Sequence, residues 1–301
     1  MSRRGVQQMS ESKNKKNMQK NTNPWFEAWR RLLKSKIGVA GLGIIIFLIL
    51  VALLAPVLAP HDPFKQNILA RYKAPSSEHL LGTDEMGRDI LSRIIYGSRI
   101  SIQVGLVSVG FALIFGVSFG LLAGFYGGKL DMLIMRFMDI MLAFPSILLA
   151  IGIVAILGPQ LKNAMLAIGI INVPRFARIV RSSVLSIKES EYISAARALG
   201  AGDFRIIFKH LLPNAMAPLI VQTTLSIATA ILEAAALSFL GLGAQPPSPE
   251  WGAMLSDARS SLQRAPWVAT FPGLAIIFGV LGFNLLGDGL RDALDPKMKN
   301  V

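Results

Sequence analysis

The chain contains no cysteine. That excludes a disulfide scaffold, thiolate metal sites and a cysteine nucleophile, and redox chemistry says nothing of the compartment. Charge is scarce as well: 16% of the 301 residues are charged and 52% are hydrophobic, with a mean hydropathy of +0.52. Ordinary soluble domains carry about 25% charged residues, so a water-soluble globule of this size is excluded. Acids are the scarcer sign, 18 against 31 Lys plus Arg, for a net charge of +13. A nucleic-acid-binding domain this apolar would not stay in solution, so no nucleic-acid partner is expected. A membrane protein with basic loops on its inner side accounts for both numbers.

Catalytic motifs are missing too. Gly116-Val117-Ser118-Phe119-Gly120 matches G-x-S-x-G, which in soluble hydrolases presents a serine nucleophile. An intramembrane hydrolase built on Ser118 would need a histidine at membrane depth, and His61, His79 and His210 all fall in loops. Gly128-Lys129 lacks the remaining residues of a phosphate loop, and no H-E-x-x-H occurs. The chain is therefore read as non-enzymatic, with no metal site and no cofactor of its own.

Long runs free of Asp, Glu, Lys and Arg are abundant. Ile37–Pro60, Ile100–Gly128, Ile140–Leu161, Leu211–Leu232 and Ala265–Gly287 have 24, 29, 22, 22 and 23 residues. Each meets the roughly 20 residues a membrane-crossing helix needs. A sixth span runs from about Asn163 to Arg181, with Arg175, Arg178 and Arg181 expected to snorkel to the headgroups. The fold class is thus an all-α polytopic membrane protein with six transmembrane helices. Gly116, Gly120 and Gly124 recur at every fourth position, which suits close helix packing in lipid.

With the N-terminus inside, the inner segments hold 22 basic residues and the outer ones 9. Both termini are therefore expected in the cytoplasm, with outer loops near 61–98, 158–162 and 242–265. Residues 1–23 read as a disordered basic tail and 24–36 as an interfacial amphipathic helix. Its Trp25, Trp29, Leu32 and Leu33 lie opposite Arg30, Arg31 and Lys34. Residues 37–60 form the first span, 61–98 an extracytoplasmic loop, 99–290 a five-helix unit with a loop at 182–212, and 291–301 a cytoplasmic tail.

That loop of 182–212 exceeds what a simple connection needs. Glu191 to Gly200 reads as a short helix that Ser190 caps and Gly200 stops. Tyr192, Ala195, Ala196 and Leu199 form a narrow face of small residues, a shape that fits a groove. Asp203 then caps a second helix, and Pro213 opens the next span. Three ionisable residues fall within or at the ends of spans. Arg136 and Asp139 are spaced to pair with one another, and Glu233 faces either the pathway or a neighbouring helix.

Ala195-Ala196, then Gly200, then Leu212-Pro213 resembles the E-A-A-x3-G-x9-I-x-L-P motif of ABC importer permeases, with Ser194 where Glu is usual and His210 where Ile is usual. Leu81-Gly82-Thr83-Asp84-Glu85-Met86-Gly87-Arg88-Asp89, continuing to Ser92-Arg93, resembles a signature of the dipeptide, oligopeptide and nickel permeases. Leu237 to Gly243, Pro249 to Gly252 and Asn284 to Asp292 resemble the same group, and the likeness covers about residues 30–296. Length and motif order are similar to the second, C-type permease subunit.

The resemblance implies a type I ABC importer permease in a bacterial plasma membrane. Its partners would be a second permease subunit, two ATPase subunits and an extracytoplasmic peptide-binding protein, with ATP and magnesium held by the ATPases. Glu191, Tyr192, Ser194, Ala195, Ala196, Leu199, Gly200, Asp203, Leu212 and Pro213 would form the coupling helix and its flank. For Gly82, Thr83, Asp84, Gly87, Arg88, Asp89 and Arg93 two readings stand: turns that cap a helix, or contact with the binding protein or an outer gate. The cargo is expected to be a peptide, with nickel or another small solute as the alternative.

Overall fold

A computed structural model describes residues 24–295; the expected tail of 1–23 and the last residues of the expected tail 291–301 lie outside them. Helix α1 (Pro24–Lys34) carries Trp25, Phe26, Trp29 and Leu33 exposed, while Leu32 is buried. Ser35 then ends α1 and caps α2 (Lys36–Leu53) by accepting from Gly38 N at 3.2 Å. The first span bends at Leu54 into α3 (Ala55–Leu58), because Pro56 has no N–H to continue the ladder.

Helix α4 (Ile90–Tyr126) starts earlier than expected. The outer loop of 61–98 therefore ends at Asp89, whose carboxylate caps α4 at Ser92 N. Arg93, expected in the loop, is helical. At about 1.5 Å per residue, the 37 residues of α4 span about 55 Å and project beyond a bilayer core.

The third span departs most from expectation. Ile140–Leu161 is not one helix: α5 (Gly128–Ala143) and α6 (Ser146–Leu157) meet at 95°. Pro145 forces this, since the residue before a proline is pushed out of helical space; Phe144 is extended at φ −89°, ψ 140°. The span with the shortest charge-free run, by contrast, is an unbroken helix, α7 (Leu161–Lys188). Its arginines do not all snorkel, because Arg178 and Arg181 are held by acids on α5.

A short α8 (Glu191–Ala198) and the turn α9 (Asp203–Ile206) follow. A π-turn over Ile207–Leu211 then leads into α10 (Leu212–Phe239), with Leu212 N donating to Ile207 O. The segment 242–265, expected as a loop, contains α11 (Trp251–Asp257) and a 3-10 turn at Ala258–Ser261. Helix α12 (Trp267–Leu294) ends the fold. Among the described residues five helices are long and apolar enough to cross a membrane, and six if the bent pair counts as one span.

The core lies among α4, α7 and α10. The glycines at four-residue spacing form its main seam: a Cβ at Gly116 would stand 2.4 Å from Phe176 Cβ, and one at Gly120 2.5 Å from Ala177 O. Without side chains there, α4 and α7 touch backbone to backbone, which is how helices gain packing energy in lipid.

Candidate functional site

Two clusters of polar and special residues lie at opposite ends of the molecule. At one end α1, the last turn of α12 and the start of α10 enclose a cleft of about 360 Å³ lined by Trp25, Arg31, Pro213 and Leu294 among others. The loop carrying α8 belongs to this end.

Helix α8 stops by a Schellman motif. Gly200 N donates to Arg197 O at 2.9 Å and Ala201 N to Ala196 O at 3.0 Å, with Gly200 at φ +83°. One side chain, Ile193, is buried and ties α8 to the body, and the Arg197 guanidinium lies 5.5 Å from the Phe125 ring. Other apolar side chains of the loop, on and beyond α8, stand exposed. Leu199 is 89% exposed, Phe204 76% and Phe208 50%. Glu191, Tyr192, Ser194 and Ala195 are also exposed, and Ala196 is half-buried. Tyr192 is steadied by Asn214, whose Nδ2 donates to its hydroxyl at 3.3 Å, and by the His210 ring 6.1 Å away. Leu212 and Pro213 open α10, so α8 lies along the chain between two spans, α7 and α10.

Two capping expectations are corrected. Ser190 occupies the N-cap position, but its hydroxyl donates backwards to Ile187 O at 2.6 Å. Asp203 is the first residue of α9 rather than its cap, a position held by Gly202. Asp203 still places an acid at the positive end of that turn.

At the other end, the residues from Gly82 to Arg93 fold inward. Thr83, Asp84, Arg88, Asp89 and Arg93 are all buried. Asp84 Oδ1 accepts from Met86 N and Arg88 N, both at 2.9 Å, while Oδ2 accepts from Arg88 Nε at 2.6 Å. Arg93 approaches the same oxygen at 3.5 Å and donates to Pro63 O, Pro247 O and Ser248 O. It thereby joins the start of the outer loop to the segment before α11. Thr83 Oγ1 donates to Ala70 O and accepts from Lys73 N. Gly82 and Gly87 have φ of +80° and +72°, and a Cβ on Gly87 would stand 1.8 Å from Asn67 O. Among the described residues the single β pairing is a bridge between Thr83 and Asp89.

Acids around this network are pushed up. Burial raises Glu85, with Asp257 and Asp84 adding to it, and burial raises Asp257 against the opposing pull of Arg88. Glu250 is raised by burial although Gly252 N and Ala253 N donate to it at 2.9 and 2.8 Å. Trp251 is buried beside it and donates from Nε1 to Ile94 O at 3.0 Å.

Within the spans the pairing differs from expectation. Arg136 does not take Asp139; Arg178 on α7 does, at 2.7 Å. Arg181 grips Asp131 with two bonds of 2.5 and 2.7 Å. Glu233 accepts from Asn172 Nδ2 on α7 at 3.1 Å, a bond that ties it to a neighbouring helix. Asn172 was missed because a search for charges passes over a neutral amide. Its position inside an apolar run was the available signal.

A family model described as a binding-protein-dependent transport system inner membrane component matches residues 116–300. Another, the N-terminal TM domain of oligopeptide transport permease C, matches residues 23–75. Relatives include a dipeptide transport system permease protein of Alkalihalophilus pseudofirmus, 60% identical over 92% of this chain and 91% of that one. A di/tripeptide transport system permease protein of Pseudomonas aeruginosa is 51% identical over 93% and 94%. A glutathione transport system permease protein of Pectobacterium atrosepticum is 50% identical over 92% of each. An inward-facing structure of the MetNI methionine ABC transporter shares the fold, with a TM-score of 0.57 and 22% identity, over 68% of this chain and 98% of that one. A matching family model over more than half its length, and a relative 60% identical along most of it, show that the chain belongs to the binding-protein-dependent inner membrane components, the permease subunits of ABC importers.

Proposed function

We propose that this permease forms one half of a peptide pathway, beside a second and different permease subunit. Two ATPase subunits drive it from the cytoplasm, and an extracytoplasmic binding protein delivers the cargo. The relatives named for dipeptides, di/tripeptides and glutathione support a short peptide as that cargo. ATP and magnesium sit on the ATPase subunits, and both termini of this chain face the cytoplasm, in keeping with the 22-to-9 distribution of basic residues.

The observation that carries the reading is the bare apolar edge of α8, with Leu199 at 89% exposure just before a glycine-locked stop. An apolar edge so displayed fits an ATPase groove. Glu191, Tyr192, Ser194, Ala195, Ala196, Gly200 and Asp203 shape the docking element, and Leu212 and Pro213 join it to the span α10. Because α7 and α10 flank α8, a push on the short helix moves two spans together. Different contacts with open and closed ATPases then shift the permease between inward-open and outward-open states. The buried Gly82–Arg93 network serves as the rigid outer frame against which those spans move, and the polar pair of Asn172 and Glu233 is the candidate pathway feature.

The test is uptake by proteoliposomes holding the assembled transporter and its binding protein. Labelled dipeptides, glutathione, longer peptides and nickel salts are offered with and without ATP. ATP-dependent accumulation of a di- or tripeptide is the expected result. Accumulation of nickel alone overturns the peptide assignment, and equal uptake without ATP overturns the importer reading.

A further inference from the structure

Three side chains of the outer loop converge without any part in the coupling surface. His61, His79 and Asp89 each present one ligand-type atom, and these atoms lie within 4.8 Å of one another. His79 Nδ1 is 2.9 Å from Asp89 Oδ1, and His61 Nδ1 is 3.7 Å from the same oxygen. The two imidazole rings face each other at 4.7 Å, tilted by 39°. We propose that His61, His79 and Asp89 bind a divalent cation of the zinc class at the outer end of α4.

The donor set suits such an ion. Two imidazole nitrogens and one carboxylate oxygen are the ligands borderline cations prefer, with a fourth position left for water. At metal–ligand bonds of about 2.0–2.1 Å, tetrahedral ligands stand about 3.3 Å apart. The 2.9 and 3.7 Å separations bracket that spacing. Closing the remaining gap needs only a turn of His61, whose side chain is 39% exposed.

The surroundings are arranged for it. Asp89 Oδ2 is already occupied, accepting from Ser92 N at 2.8 Å and Ser92 Oγ at 2.7 Å, which leaves Oδ1 aimed at the histidines. Ser92 Oγ also accepts from His61 N at 3.0 Å, so one serine orients two of the three ligands. Hydrogen-bonded support of this kind is what fixes ligating carboxylates elsewhere. The neighbouring Arg88 is engaged by Asp84 and Asp257 and does not compete for Asp89. A cleft of about 490 Å³ lined by Pro60, His61, Asp62, Phe64 and Tyr96 opens beside His61 and gives the ion a route from solvent. Bound there, the cation staples the chain leaving the first span to the start of α4. The proposal stands apart from the peptide assignment, since it needs only the folded chain.

The test is equilibrium dialysis of the full chain, purified in detergent without a histidine tag, against micromolar zinc. One zinc per chain is expected, and cobalt in its place gives the visible absorption of a tetrahedral site. His61→Ala lowers zinc affinity at least tenfold and removes the cobalt bands, with an unchanged gel-filtration profile. His210→Ala, at the other end of the molecule, changes neither. Absence of a saturable single equivalent in the parent chain overturns the proposal, as does unchanged binding by His61→Ala.

Discussion

Gly200 is the residue on which the proposed coupling surface turns. Its φ of +83° lies where side chains with a Cβ are strained, yet nothing stands within 4 Å of where that Cβ would go. Gly200→Val therefore acts through backbone strain of about 1–3 kcal/mol rather than through a clash. The expected outcome is weaker co-purification of the ATPase subunits and reduced uptake, with normal membrane insertion. Gly200→Asn, which tolerates this conformation, retains most of both; full uptake by the valine variant would remove α8 from the coupling path. Glu250 offers a pH test. Burial raises its pKa, so the folded protein holds that proton to higher pH than the unfolded chain does. Stability from this group is full below the usual carboxylate range and falls as pH rises through the folded value. Thermal midpoints across pH should show that decline in the parent and a shallower one in Glu250→Gln; parallel profiles would contradict it. Gly200 was legible in the sequence because a glycine after a helical run signals a stop. Glu250 was not, since burial at a helix N-cap depends on what packs over it. The trio of His61, His79 and Asp89 was equally hidden, because ligands spread over a loop have no motif spacing.

Among the elements, the sequence reading erred where a proline or an interhelical pair decides the geometry. A count of apolar residues passes smoothly through Pro145, although that proline turns the third span by 95°. The same count undervalues α7, whose arginines meet acids on α5 that no local spacing reveals. Arg136 and Asp139 are neighbours on one helix, but Asp139 finds Arg178 instead. Close glycine seams and the Schellman stop were readable because they depend on residues a few positions apart. The bidentate Arg181–Asp131 pair links α5 to α7 and is partly buried. A double-mutant cycle with Asp131→Asn and Arg181→Gln should give a coupling of about 1–2 kcal/mol. Unfolding in detergent measures it, and a coupling of about zero, as for many exposed pairs, would contradict this.

At the scale of the whole molecule, composition alone placed the chain in a membrane, and the basic asymmetry is the ground for proposing cytoplasmic termini. The two motif clusters then proved to lie at opposite ends, one exposed and one buried. Spacing told of the short helix α8 and its glycine stop but not of the burial of Asp84, Arg88 and Arg93, which requires the segments around Pro63 and Pro247 to close over them. Orientation is checked with the exposed Ser77: since the chain has no cysteine, Ser77→Cys is a unique thiol. It should react with an impermeant reagent applied outside the cell, and labelling solely from the cytoplasmic side would reverse the topology. The central claim is that α8 is where the ATPases engage this permease. Leu199→Cys tests it most directly, in the assembled transporter, with a short bifunctional thiol cross-linker and an impermeant reagent on either side. The account predicts a cross-link to an ATPase subunit, with a yield that changes when ATP is added, and no labelling from outside. Labelling of that thiol from outside, or no cross-link with the ATPases assembled, would contradict it.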